Sequence, residues 1–248
     1  ALLEQIFDPQ KIDDIPAEVA REMGTLSLAN KLKRGHTVAI TAGSRGIRNI
    51  DVITKSVVRQ IKELGANPFI IPAMGSHGGA TPEGQIKVLK KYGISESTMG
   101  CPIRSTMEVV HIGDARDGYT VFVDRYAMEA DHIVVVNRIK PHTKFEGPIE
   151  SGLMKMMAIG MGNHEGAQYY HRAAISFTFP RVIETVATEI IRRCPILFGL
   201  GVVENAYDEI CLIEALLPED IYEGEKALLV EAKARMPRLP FDEIDVLM

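Results

Sequence analysis

The chain has 248 residues, 46% of them hydrophobic and 25% charged, which is the make-up of an ordinary globular protein with one large α/β domain or two small ones. A net charge of −5, with Lys and Arg spread along the sequence, excludes the basic footprint of a nucleic-acid binder. No apolar run approaches the roughly 20 residues needed to cross a bilayer, the opening ALLEQIFDP lacks a secretory pattern, and Cys101, Cys194 and Cys211, odd in number and without a CxxC pair, fit reduced thiols in a cytoplasm.

Apolar β-branched runs alternate with amphipathic stretches along the chain. Residues 36–41 (HTVAIT) predict a first strand, and residues 42–47 (AGSRGI) a glycine-bearing loop. In residues 51–64 the side chains Val52, Val57, Val58, Ile61 and Leu64 share a stripe, so a helix follows, stopped by Gly65. Residues 68–71 (PFII) predict the next strand, 74–81 (MGSHGGAT) a loop, and 82–92 a helix with Thr81 as N-cap and Pro82 as its first residue. Strands are expected at 120–123 (TVFV), 132–137 (HIVVVN) and 196–203 (ILFGLGVV), and helices at 166–174, 182–193 and 218–236. Strands that read as unbroken apolar runs are buried on both faces, so the pattern predicts a layered α/β fold around a mostly parallel, Rossmann-like sheet with right-handed crossovers. Residues 1–240 are expected to form one α/β domain, and 241–248 to open a further strand that either closes the sheet or begins the second domain of a two-domain protein of which 1–240 is the N-terminal part.

In open α/β sheets, ligands bind beyond the carboxyl ends of the strands. Three connections there carry chemistry. In the first, Gly43 and Gly46 bracket Ser44 and Arg45; this is neither a P-loop nor GxGxxG, and it reads either as an anion cradle or as a plain turn. In the second, His77 stands among Gly75, Gly78 and Gly79, where backbone can approach a ligand and an imidazole can titrate near neutrality. The third, residues 138–155, gathers Arg138, Lys140, His142, Lys144, Glu146, Glu150 and Lys155, with a helix expected to start near Ser151. Lys155 lies among Leu153, Met154, Met156 and Met157: it is either a desolvated amine with a lowered pKa or a snorkelling lysine on a core helix. His164 and His171 are seven apart, two turns along one helix face, too far to ligate one metal together; HExxH is absent. His36, His111 and His132 read as structural.

The ordered set GSHGG (75–79), IKPH (139–142), SGxxK (151–155) and a histidine sixteen residues after that lysine resembles the N-terminal domain of the nickel-dependent lactate racemases. The likeness runs from about Ala17 to the end, and ENAYDEI (204–210) with the helix after it resembles the strand pair and helix that close that domain. The resemblance implies a nickel-pincer nucleotide tethered to Lys155 through a thioamide, made by dedicated cofactor-synthesis proteins, with His171 as nickel ligand and His164 as the alternative. It also implies that His77 and His142 are paired acid/base groups acting on a small 2-hydroxy acid, which gives its hydride to the cofactor and is re-reduced from either face. Ser44, Arg45, Gly78, Gly79 and Ser151 then fall at the cofactor, and Arg45 and Lys140 at the substrate carboxylate. The first loop departs from the acidic-Thr-Arg-Pro pattern of the family, which points toward a larger or more polar acid than lactate. A dehydrogenase or lyase on the same scaffold, and a non-catalytic organic-acid or nucleotide binder, are the competing functions.

Overall fold

The computed structural model describes residues 4–239 and Phe241. It begins with helix α1 (Ile15–Thr25), which the strand and helix patterns above did not anticipate. Its signals are local: Asp14 accepts from the Ala17 N–H at 3.0 Å, Pro16 lies in the first turn, and Ile15, Val19 and Met23 repeat every four residues on the buried side.

Strand β1 (Thr37–Ala42), helix α2 (Ile50–Glu63) and strand β2 (Asn67–Pro72) form a parallel unit, followed by α3 (Pro82–Lys91) and the single turn α4 (Glu96–Met99). Strands β3 (Val109–Asp114) and β4 (Thr120–Asp124) pair antiparallel in a sheet of their own, so the 120–123 strand is not part of the parallel sheet. A turn, α5 (Arg125–Met128), leads to β5 (His132–Arg138). The short α6 (Leu153–Lys155) runs into a π-helical stretch at Met156–Gly160, then come α7 (Asn163–Ser176) and α8 (Phe179–Arg193). Strands β6 (Ile196–Glu204) and β7 (Ile210–Leu216) and helix α9 (Ile221–Arg235) complete the described fold. The strand expected over 241–248 lies outside the described residues, apart from Phe241, which is in no regular element.

The main sheet has the order β2-β1-β5-β6-β7, parallel except for β7. Alternate residues of each strand feed two cores. Ala39, Ile71, Ile133 and Val135 pack with α6 to α9, whereas Val38, Ile40, Ile70, Val134 and Val136 pack with α1, α2 and α3. Because both faces are covered, β6 is buried at all nine positions, which is why its sequence shows no alternation. The chain leaves β1 for β2 on one side and later returns to β5 on the other. The gap between the ends of β1 and β5 is therefore the switch point of the sheet, where the connecting loops diverge and leave a crevice.

Candidate active site

A cleft of about 920 Å³ opens at that switch point. The loops after β1, β2 and β5 and the start of α8 line it, and into it come Ser44, Arg45, His77, Lys140, His142 and Lys155.

Lys155 owes its position to a chain of backbone restraints. Lys140 and Ser151 exchange backbone hydrogen bonds of 2.9 and 3.2 Å, closing the 138–151 connection into a loop, and the helix begins two residues after Ser151, at Leu153. The Asn137 side chain donates to the Gly152 carbonyl at 2.8 Å. Glu225, fully buried on α9, accepts from the Met154 N–H at 2.8 Å and thus caps α6 from across the core. A side chain at Gly152 would run into that carboxylate, which explains the glycine of the SGxxK segment. Burial raises Glu225 to about 7, against the opposing pull of the nearby Met154 and Leu153 N–H groups. A single π-type stretch follows at once, of the kind that re-aims side chains beside functional sites. Gly160, at its end, packs so tightly that a Cβ would lie 2.6 Å from the Ala73 carbonyl.

The Lys155 amine is half-buried and lies 5.9 Å from the Phe145 ring centroid. Desolvation first, then the positive charges of Arg45 and Lys140, bring its pKa down to about 8. Among the described residues neither Arg45, Lys140 nor Lys155 has an acidic partner within ion-pairing distance, whereas Arg138 at the same mouth is held by Glu204. Burial, together with Arg138 and Arg45, lowers Lys140 as well. Three unpaired cations converging on one cleft fit a ligand with several negative charges.

His77 and His142 are both kept neutral-leaning. Burial, Arg45 and Lys155 lower His77; burial and Lys155 lower His142, against the nearby Glu150. The Ser44 hydroxyl sits 2.5 Å from His77 Nδ1, and Tyr92 fixes the Ser44 backbone by donating to its carbonyl at 2.9 Å. His142 stacks on Phe145 with ring centroids 4.1 Å apart, and its Nδ1 accepts from the Lys144 N–H at 3.2 Å. Glu150 anchors that turn: its buried carboxylate accepts from the His142 N–H at 2.5 Å and pairs with Lys233 at 2.6 Å. Burial pushes Glu150 upward, but Lys233 and the His142 and Gly147 N–H groups outweigh it and leave its pKa lowered.

The remaining expected site residues fall differently. His171 reaches the cleft from α7, exposed and stacked 5.2 Å from the Phe179 ring. His164, two turns earlier on the same helix, does not line the cleft, and its buried Nδ1 has no hydrogen-bond partner among the described residues. Gly78 and Gly79 also lie off the cleft lining. They serve the turn, with φ of +68° and +70°, and a Cβ on Gly78 would come within 2.7 Å of the Gln85 backbone nitrogen. Outside the site, His36 and His132 are hydrogen-bonded to each other at 3.0 Å at the opposite ends of β1 and β5. Glu225, Asn137 and Tyr92 were not singled out as supports of the site by the sequence patterns, whereas Glu150 stands in the 138–155 segment without a supporting role assigned to it. Glu225 and Tyr92 act from elements distant in sequence, 71 and 48 residues from Met154 and Ser44, so spacing carried no signal for them.

An α/β domain with its ligand cleft at the switch point of a mostly parallel sheet is the class defined by these features. The chain belongs to the lactate racemase N-terminal domain family, whose model matches residues 7–178. Among solved structures it is similar to the lactate racemase apoprotein from Thermoanaerobacterium thermosaccharolyticum, with a TM-score of 0.64 and 16% sequence identity over 88% of this chain and 55% of that one. At that identity the likeness speaks for the fold, and the chain spans little more than half the length of that structure. No curated protein matches the chain. No helix among the described residues is long and apolar enough to cross a membrane.

Proposed function

We propose that this domain carries the cofactor and the proton-transfer groups of a racemase or epimerase acting on a 2-hydroxy acid. The observation that carries the reading is the convergence, in one cleft, of a half-buried amine with a pKa of about 8, two neutral-leaning imidazoles and two further unpaired cations.

The cleft residues fit a nickel-pincer nucleotide. A lysine with a substantial neutral fraction near pH 7.5 is suited to forming an amide-type tether, so Lys155 is the attachment point. Among the described residues no group of three or more His, Cys, Asp or Glu side chains is arranged to hold an ion. The single imidazole of His171 therefore fits a metal that brings most of its donors with its organic ligand. When bound, the group supplies a hydride acceptor and donor. The chain's own residues do the rest: Arg45 and Lys140 bind the substrate carboxylate, and His77 and His142 handle the hydroxyl proton through their ring nitrogens. The half-buried cleft strengthens each of these interactions relative to open water. Localisation in the cytoplasm and dependence on cofactor-synthesis proteins belong to the same proposal.

The test is intact-protein mass spectrometry with metal analysis on the full protein, co-expressed with the cofactor-synthesis machinery. A nucleotide-sized added mass at Lys155, lost in Lys155→Ala and accompanied by nickel, is expected; His171→Ala should keep the mass and lose the nickel. Incubation with single enantiomers of 2-hydroxy acids, read by chiral chromatography, should show conversion of both hands. Absence of both mass and nickel, while a known racemase loads in parallel, would remove the proposal in favour of another enzyme class or a non-catalytic binder.

A further inference from the structure

The cleft histidines have different partners on Nδ1, and the difference decides what each ring can do with a proton. His77 faces a hydroxyl, Ser44 Oγ, at 2.5 Å. A hydroxyl can donate or accept, so His77 can exist as either neutral tautomer or as the imidazolium without losing this bond. His142 faces a backbone N–H, that of Lys144, at 3.2 Å. An amide N–H only donates, so His142 Nδ1 must keep its lone pair, and the proton of the neutral ring sits on Nε2. Adding a second proton would set two N–H groups against each other. In both rings Nε2 has no hydrogen-bond partner among the described residues and remains the nitrogen available to a ligand.

We propose that the two histidines are not interchangeable: His77, backed by Ser44, exchanges a proton through Nε2, whereas His142, backed by the Lys144 N–H, is a neutral hydrogen-bond donor through Nε2 until the 142–144 turn opens. This rests on the 2-hydroxy-acid reading of the cleft. In the proton step the substrate O–H bond breaks, an N–H bond forms at His77 Nε2, and Nδ1–H then donates to Ser44 Oγ. With the 142–144 turn closed, His142 donates its Nε2–H to a carboxyl or carbonyl oxygen without transferring the proton; it takes up the hydroxyl proton of the other hand only after that turn opens. For His142 to accept a proton, the Lys144 N–H must release Nδ1. That turn is braced by the stacking on Phe145 and by the Glu150 carboxylate on the His142 N–H, so opening it has a cost that His77 does not meet. Other charges facing the pair are all positive except Glu150: Arg45 and Lys155 at His77, and Lys155, Lys140 and Lys144 at His142. They oppose protonation of both rings and so do not account for the asymmetry. Ser44 is thereby a positioning residue for His77.

The experiment is long-range ¹⁵N–¹H NMR of the histidine rings in the full protein, across a pH titration and without any substrate. The expected spectrum shows neutral His142 protonated on Nε2, titrating below His77 and in step with a shift of the Lys144 amide. In Ser44→Ala the tautomer populations of His77 change and those of His142 do not, and in the loaded enzyme kcat falls about tenfold, part of the usual contribution of a positioned base. Neutral His142 carrying its proton on Nδ1, or protonating with no response at Lys144, overturns the proposal. So does an unchanged His77 in Ser44→Ala. Failure of the racemase reading is separate: the spectra would stand as expected while no 2-hydroxy acid is turned over.

Discussion

The lowered pKa of Lys155 can be measured without any cofactor. With a pKa of about 8, about a quarter of the amine is neutral at pH 7.5, against roughly one part in a thousand for an ordinary lysine. The neutral fraction is thus on the order of 200 times that of an unperturbed lysine, and Lys155 should acylate faster than such a lysine of equal access, by less than that ratio because a weaker base is also a weaker nucleophile. Arg45→Met keeps bulk but removes one of the two charges acting on the amine, so the Lys155 pKa rises. A charge at that range in a partly wet cleft is worth about 0.5–1 pKa unit, so labelling at pH 7.5 should slow about 3–10-fold. Brief acylation of cofactor-free protein from pH 6 to 11, with peptide mass spectrometry, gives the midpoint directly. A midpoint near the ordinary lysine value in the wild type, or one unmoved in Arg45→Met, would refute the desolvated-amine account of this site.

Other outcomes follow from the same contacts. His77→Gln should lower turnover by about 10²–10⁴ while leaving the nucleotide mass on Lys155 intact, as read by steady-state assay and intact mass. Glu225→Ala strips the buried Met154 N–H of its acceptor and should cost about 1–3 kcal/mol in urea unfolding, with Lys155 labelling altered as α6 loosens. Glu225→Gln gives a pH test: with the folded pKa raised from 4.5 to about 7, the native state holds the extra proton, so wild-type stability relative to the Gln variant is greatest below about pH 4.5 and is lost as pH rises through about 7. Thermal melts from pH 4 to 8 that run parallel for the two proteins would contradict this. Gly152→Ala forces a methyl into the Glu225 carboxylate and should destabilise the protein by about 1–3 kcal/mol in the same unfolding assay.

How far the site was legible varies residue by residue. The loops after β1, β2 and β5 stood out because glycines, a histidine and basic residues interrupt an otherwise apolar alternation. The fold placed Arg45, His77, Lys140, His142 and Lys155 around one cleft. Lys155 itself read two ways, because four apolar neighbours fit a core helix as well as a desolvated amine; the fold adds what spacing could not show, partial burial at the cleft beside Arg45, which lowers its pKa to about 8. The pairing of His164 with His171 on one helix was visible from their spacing, but which of them faces the cleft depends on where α7 packs against β3, β4 and α8. The glycines at 78 and 79 looked like ligand-approach positions, and their backbone angles show them spent on the turn before α3.

Hydrophobic periodicity and loop chemistry are local, and the sequence by itself determined what rests on them: the alternation of strands and helices, a sheet buried on both faces, the caps at Thr81 and Pro82, and the family resemblance carried by ordered short motifs. Strand order, by contrast, depends on which apolar faces meet across long stretches of chain. Only the tertiary structure could set β3 and β4 apart from the main sheet, put the switch point between β1 and β5, and bring Glu225 from α9 under the helix of Lys155. The protonation preferences of the site belong to that second class, because desolvation and the partner on each Nδ1 are fixed by neighbours from other segments, such as Ser44 beside His77, or by a turn that Glu150 and Lys233 brace around His142.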